Sequence, residues 1–280
     1  MFLTHSDSSF PLQLKQVRPK VESIFYKGNL NPGPFENCVS VVGSRRITNY
    51  GRQVLEKIIP PLVDAGITIV SGFMYGVDQE AHKIVLENKG MTIAVLGWGI
   101  DWPVPEDDQK LYLEIENKGL IVSEYEGQTK AQLWMFPRRN RIVAGLSKAT
   151  IVIEAAEKSG SLITADYALK FGKKLFAVPG PITSRVSEGC NQLIKDGKAK
   201  MLTCAEDILS ALNIKHSIVP SGSHPEGGEI MKLLSNEALT VDELARIIKK
   251  PVESLAIELS MLQLTGDIVE RDGKYYIVDK

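Results

Sequence analysis

The sequence predicts an α/β protein: a doubly wound parallel sheet followed by a small C-terminal winged-helix domain. Three observations carry this. Short apolar or β-branched runs recur at residues 38–42, 68–70, 91–96, 120–122, 150–153 and 175–178. Each is followed by Gly, Ser, Pro or an acid, with helical patterns at 50–65, 78–88, 107–118, 161–171 and 189–196 between the runs. The last fifty or so residues follow a Ser/Gly/Pro-rich stretch and change pattern altogether.

Strands alternating with helices of 10–15 residues indicate βαβ units and a parallel sheet. The runs carry apolar residues on both faces, as expected when helices cover both sides. Right-handed crossovers then wind the sheet in the Rossmann-like manner. Residues 1–36 form a lead-in, and 37–215 form the Rossmann-like domain. Residues 216–228, HSIVPSGSHPEGG, lack periodicity and read as a linker. In 229–280, Thr240-Val-Asp-Glu243 is a capping box that opens a second helix. Pro251 suits the first turn of a third. Asp272-Gly273 suits a hairpin turn. Three helices and a hairpin make a winged helix.

No apolar run approaches the roughly 18 residues of a membrane span, and the N-terminus lacks a signal-peptide pattern, so a cytoplasmic protein is expected. Cys38, Cys190 and Cys204 are widely spaced and read as buried thiols, and no metal site is expected. The formal net charge is −1, but residues 127–200 hold 13 Lys/Arg against 5 Asp/Glu. A basic stretch on an otherwise acidic chain suits a localised anion site.

Ligands of open α/β sheets bind at the carboxyl ends of the strands. Those ends carry Gly43-Ser44-Arg45-Arg46, Ser71-Gly72, Gly97-Trp98-Gly99, Glu124, Glu154 and Pro179-Gly180. Converging glycines and helix N-termini suit phosphate. The G-x-G-x-x-G fingerprint is absent after the first strand and no Walker A pattern exists, so no nucleotide cofactor is expected. In Phe136-Pro137-Arg138-Arg139-Asn140-Arg141, three arginines fall within four residues, just after Trp134. Arginine forks grip phosphate and aromatic faces stack unpaired bases, which favours single strands. Spacing alone equally admits a helix start with a solvated basic face and core aromatics.

These blocks, with Gly76-Val77-Asp78, Ile142-Val143-Ala144-Gly145-Leu146-Ser147, Ser159-Gly160-Ser161 and Phe176-Ala177-Val178-Pro179-Gly180, stand in the order of the signature motifs of the DprA/Smf family. The chain resembles that family over about residues 11–212. The resemblance implies an extended Rossmann domain that binds and protects single-stranded DNA and loads the RecA recombinase in natural transformation. It also implies a homodimer and no enzymatic activity. It places Arg45, Phe136, Arg138, Arg139 and Arg141 on DNA, the arginines at phosphates and Phe136 under a base. Lys173 or Lys174 stands where the family often has a basic residue. Gly43, Ser44, Ser71, Gly72, Ser159 and Gly160 are expected as backbone donors or close-approach positions, and Asn140 as a loop tie. Asp78 and His82, at i and i+4, resemble the family's helix start; their spacing admits an acid–base pair, and the expected reading is a helical acid hydrogen-bonded to the histidine.

Two departures stand out. The lead-in replaces the helical domain that many members carry ahead of the sheet, and Met74-Tyr75 replaces small residues. The rival reading is a nucleoside-monophosphate phosphoribohydrolase, with Glu154 as carboxylate and Ser159-Gly160-Ser161-x-x-Thr164 as phosphate cradle. Its PGGxGTxxE signature is absent, and the arginine cluster has no role in it. In residues 229–280, 7 Lys/Arg face 10 Asp/Glu, so the winged helix is not expected to be the main DNA-binding surface.

Overall fold

The computed structural model describes residues 1–30, 33–214, 228–235, 237–264, 266–271 and 273–278. It divides into two compact units, Met1–His216 and Ser217–Lys280. The linker stretch up to position 227, and Asp272 of the hairpin turn, lie outside the described residues.

The six strands expected from the sequence are present as β3 (Cys38–Val42), β4 (Thr68–Ser71), β5 (Thr92–Leu96), β6 (Leu120–Ser123), β7 (Ala149–Val152) and β8 (Lys174–Ala177). All are mutually parallel. Three further strands extend the sheet. Within the lead-in, β1 (Phe2–Thr4) pairs antiparallel with β2 (Ser23–Gly28), and β2 pairs antiparallel with β6. At the other edge β9 (Lys200–Met201) pairs parallel with β8. The order is β1-β2-β6-β5-β4-β3-β7-β8-β9.

The connecting helices are α1 (Asn49–Asp64), α2 (Val77–Glu87), α3 (Glu106–Lys118), α4 (Met135–Leu146), α5 (Gly160–Lys170), α6 (Glu188–Lys195) and α7 (Glu206–Ala211). The period-2 alternation of β3 divides the core. Val39 and Val41 face a layer with Leu55, Ile59 and Val85, whereas Cys38 and Val42 face one with Leu14, Ile142 and Ala165.

From β3 the chain steps one way through β4, β5 and β6, and from β7 the other way through β8 and β9. The β3/β7 boundary is therefore the switch point, where the loops leaving two neighbouring strands diverge and leave a crevice.

The second unit contains α8 (Gly228–Leu234), α9 (Val241–Ile248), α10 (Val252–Leu264) and an antiparallel hairpin of β10 (Ile268–Arg271) and β11 (Lys274–Ile277). Thr240 and Glu243 exchange capping bonds at the start of α9. Leu255 and Leu259 of α10 are buried, but Ile257 and Met261, one turn apart, are 67 % and 63 % exposed.

Candidate nucleic-acid interface

A cleft of about 450 Å³ opens at the switch point, between the turn after β3, the α2 entry, the first turns of α4 and the N-terminus of α5. Ser44 Oγ stands 3.0 Å from both the N and the O of Arg46, which closes the turn after β3. Val77 N–H donates to Ser44 O at 3.1 Å. That approach needs Gly76, which has φ 82° and whose absent Cβ would lie 2.3 Å from Ser44 O. The turn so fixed presents Gly43 and an exposed Arg45 to the cleft. Ser71 is buried, and its hydroxyl donates to Val41 O at 2.6 Å, tying β4 to β3.

The arginine cluster separates into three environments, because α4 turns about 100° per residue. Arg138 is exposed. Arg139 points under the sheet end: it is buried, donates to Val95 O and to Asn140 Oδ1, and still lines the cleft. Arg141 is wholly buried and lies one turn from Arg138 on the same helix face. It donates to Pro19 O at 2.9 Å in the lead-in and to Arg138 O at 2.9 Å, and it pairs with Glu124. Glu124 also stands 3.6 Å from Arg138 Nε. The buried arginine thus anchors the exposed one through a shared carboxylate, and it offers no surface to a ligand. Here the structure departs from the resemblance, which places Arg141 on DNA: with the lead-in docked over it, Val17 packed on Gly145, it is an internal tie.

Phe136 is only half exposed. It lies against Gly97, meets Trp98 edge-on at 6.1 Å, and has the Arg45 guanidinium over its ring at 5.9 Å. Asn140 Nδ2 donates to Gly160 O at 3.2 Å, the expected tie, which joins α4 to the start of α5. Ser159 caps α5, and nothing lies within 4 Å of where a Gly160 Cβ would stand, so the helix N-terminus opens freely into the cleft.

Lys173 and Lys174 are not brought together with these residues. Both lie at the amino edge of the parallel sheet, opposite the cleft. Lys174 opens β8 and bonds Ala211 O. Lys173 is half-buried, which lowers its pKa, and the nearby Cys38 pulls the other way.

Asp78 and His82 do not bond to one another. His82 is buried, with Nδ1 2.6 Å from Thr92 Oγ1 and Nε2 2.7 Å from Gly72 O. Burial lowers its pKa to about 4, so the ring is neutral. With the ring neutral, Nε2–H donates to Gly72 O and Nδ1 faces the Thr92 hydroxyl, whose one proton is also within reach of Ile69 O at 2.9 Å. His82 therefore holds the backbone of the cleft wall. Asp78 turns instead toward Arg139 and Ser71. Burial raises its carboxyl to about 6, against the pull of Arg139. A Cβ on Gly72 would stand 2.3 Å from Asp78 Oδ2 and 2.8 Å from Arg139 Nη2, so only glycine lets carboxylate and guanidinium converge there. Glu154 is occupied too: it accepts from Thr48 N–H at 3.0 Å and from the Thr48 hydroxyl at the start of α1.

Sequence reasoning passed over Glu124 as a positioning group, although its place at the end of β6 was a signal. It singled out His82 but paired it with Asp78, and the true partners, Thr92 and Gly72, have no signal in helical spacing.

A family model described as DNA recombination-mediator protein A matches residues 1–213, and one for the DprA winged helix domain matches residues 219–274. The chain belongs to the DNA recombination-mediator protein A family. It is 41 % identical to the DNA processing protein DprA of Streptococcus pneumoniae over 204 residues, covering 73 % of this chain and 71 % of that protein. It is 36 % identical to protein Smf of Escherichia coli over 290 aligned positions, covering 98 % and 76 %. The solved Streptococcus pneumoniae DprA superposes with a TM-score of 0.72 at 38 % identity, covering 78 % of this chain and 75 % of that one. The Helicobacter pylori DNA processing protein A, solved to describe its single-stranded DNA binding mode, gives 0.67 at 29 %, covering 76 % and 96 %. The extended Rossmann-like sheet and the winged helix are thus those of DprA proteins. Among the described residues no helix is long and apolar enough to cross a membrane.

Proposed function

We propose that this chain binds single-stranded DNA along the switch-point cleft, shields it, and passes it to the RecA recombinase during natural transformation. It acts as a cytoplasmic homodimer and as a binding protein rather than an enzyme. One observation carries the DNA reading: the exposed guanidinium of Arg45, an edge of Arg139 and the open N-terminus of α5 line one cleft, and the α4 segment that walls it also carries exposed Trp134 and Arg138. The arrangement offers phosphate donors and stacking faces but no helix suited to reading a duplex groove. Hand-over to RecA and the homodimer rest on the family resemblance. In this reading Arg45 and Arg138 meet phosphates, Arg139 presents one edge at the floor, and Arg141 positions Arg138 through Glu124. The phosphoribohydrolase alternative loses its carboxylate, since Glu154 is committed to Thr48.

Gel shifts with single- and double-stranded oligonucleotides of equal length test the proposal. Single strands are expected to bind more tightly, with weak sequence dependence. With about 3–5 phosphates neutralised, log K should fall against log salt with a slope of about −2 to −3.5. A duplex preference or a salt-independent affinity overturns it.

The winged helix is expected to contribute little. Its third helix carries Glu253 and Glu258, with no basic residue between Val252 and Leu264, and exposes Ile257 and Met261. Such a face suits protein contact better than phosphate. Truncation after Ser217 should lower single-strand affinity by less than about tenfold. Submicromolar duplex binding by the isolated 229–280 fragment would contradict this.

A further inference from the structure

We infer that Trp134, next in the chain to the cleft-lining Leu133, is a nucleobase-stacking platform, so that a bound strand is gripped by its bases there and not by its phosphates alone. The inference rests on the single-strand reading above and names a contact that reading does not assign. Phe136 is a poor platform: it is lodged against Gly97 and Trp98 and is less exposed than Trp134. Trp134, at the start of α4, leaves half of its surface to solvent. The next residue back, Leu133, is 89 % exposed and lines the cleft, so the indole stands one residue along the chain from the cleft wall, beside Arg138.

The indole is held in place rather than waving in solvent. Nε1 donates to Gln132 Oε1 at 2.6 Å, and Tyr125 meets the ring edge-on at 6.1 Å. Arg138 Cζ lies 5.8 Å from the ring centroid. That guanidinium is itself secured by Glu124 and, through it, by buried Arg141. A large apolar surface kept exposed and preorganised beside a cation costs little further entropy when a flat partner lands on it. The partner must be flat and carry negative charge close by, to meet Arg138. An unpaired base with its own phosphate is both. A duplex, whose bases are already stacked, presents no face to the ring.

The test uses the full chain, an oligothymidylate of about 20 nucleotides and an abasic strand of equal length. Trp134→Ala is expected to weaken oligothymidylate binding by roughly five- to hundredfold and to leave abasic binding within about twofold of wild type. Trp134→Phe should restore most of the affinity. Oligothymidylate should quench the wild-type tryptophan emission, and Trp134→Phe should abolish the quench, because the other two indoles, Trp98 and Trp102, are buried and half-buried. Equal affinity of Trp134→Ala and wild type for oligothymidylate, or an equal loss on the abasic strand, overturns the inference while single-strand binding itself stands. A wild-type protein without single-strand preference overturns the reading beneath it as well. Thermal melts of both variants should match wild type, since the ring is exposed, and a variant that melts early makes Trp134 a structural residue and overturns the inference.

Discussion

Arg139→Ala is expected to destabilise the Met1–His216 unit by about 3 kcal/mol near neutral pH, whereas Arg45→Ala should melt like wild type and lose about 1–3 kcal/mol of single-strand affinity. From the sequence the two arginines look equivalent, each a phosphate contact removable without harm to the fold. The structure separates them. Arg45 is exposed at the cleft, and its removal deletes a charge-assisted contact and little else. Arg139 is buried against Asp78, which burial and the loss of its neighbour's charge would leave as an uncompensated carboxylate. It also donates to Val95 O at the end of β5, so its loss strands a carbonyl. The cost should shrink toward pH 5, as Asp78 protonates, and Asp78→Asn combined with Arg139→Ala should cost less than the sum of the two. Tryptophan emission reports this unit alone, because Trp98, Trp102 and Trp134 all lie in it. Denaturant titrations of each variant, alongside gel shifts, check the division. An Arg139→Ala protein as stable as wild type would return Arg139 to the surface role that the motif suggests.

That contrast shows where sequence reading ends. Strands β3 to β8 are legible because helices cover both faces, so each is rich in apolar or β-branched residues on both faces, with a turn behind it. The edge strands are not. β2 buries only Ile24 fully, and β9 is two exposed residues. The arginine cluster is legible as charge, but the exposure of each member depends on groups far away in sequence. Arg141 is covered by backbone from Pro19 in the lead-in, and Arg139 faces Asp78 from α2. Helical phase alone puts Arg138 and Arg141 on one face without saying whether that face is wet. Lys173 and Lys174 are a different case. Residues that precede a parallel strand lie at its amino edge, so their separation from the cleft follows from strand direction, and family position outweighs geometry there only if the direction is ignored.

Asp78 and His82 make the acid response of the fold a testable consequence of the same geometry. The His82 pKa falls from its ordinary value to about 4 on folding, so the unfolded chain binds more protons between about pH 6.5 and 4, and stability is lost as pH falls through that window. The Asp78 pKa rises to about 6, so the folded chain binds more protons between about pH 6 and 4, and stability is gained as pH falls. The two slopes are opposite in sign, each on the order of 1 kcal/mol per pH unit, so in the wild type they largely offset between about pH 6 and 4. Asp78→Asn removes one side of the balance. Relative to wild type, it should lose on the order of 1 kcal/mol of stability per unit of acidification across this window. His82→Gln should show the reverse, gaining on wild type as the medium is acidified. The other shifted carboxylates, Asp7, Glu114, Asp196, Asp207 and Glu243, do not blur the comparison, because all are lowered and are common to all three proteins. Urea titrations followed by tryptophan emission at several pH values supply the slopes. Parallel curves for wild type and Asp78→Asn would mean that Asp78 is not held in its buried place beside Arg139, and the account of the cleft floor would fall with it.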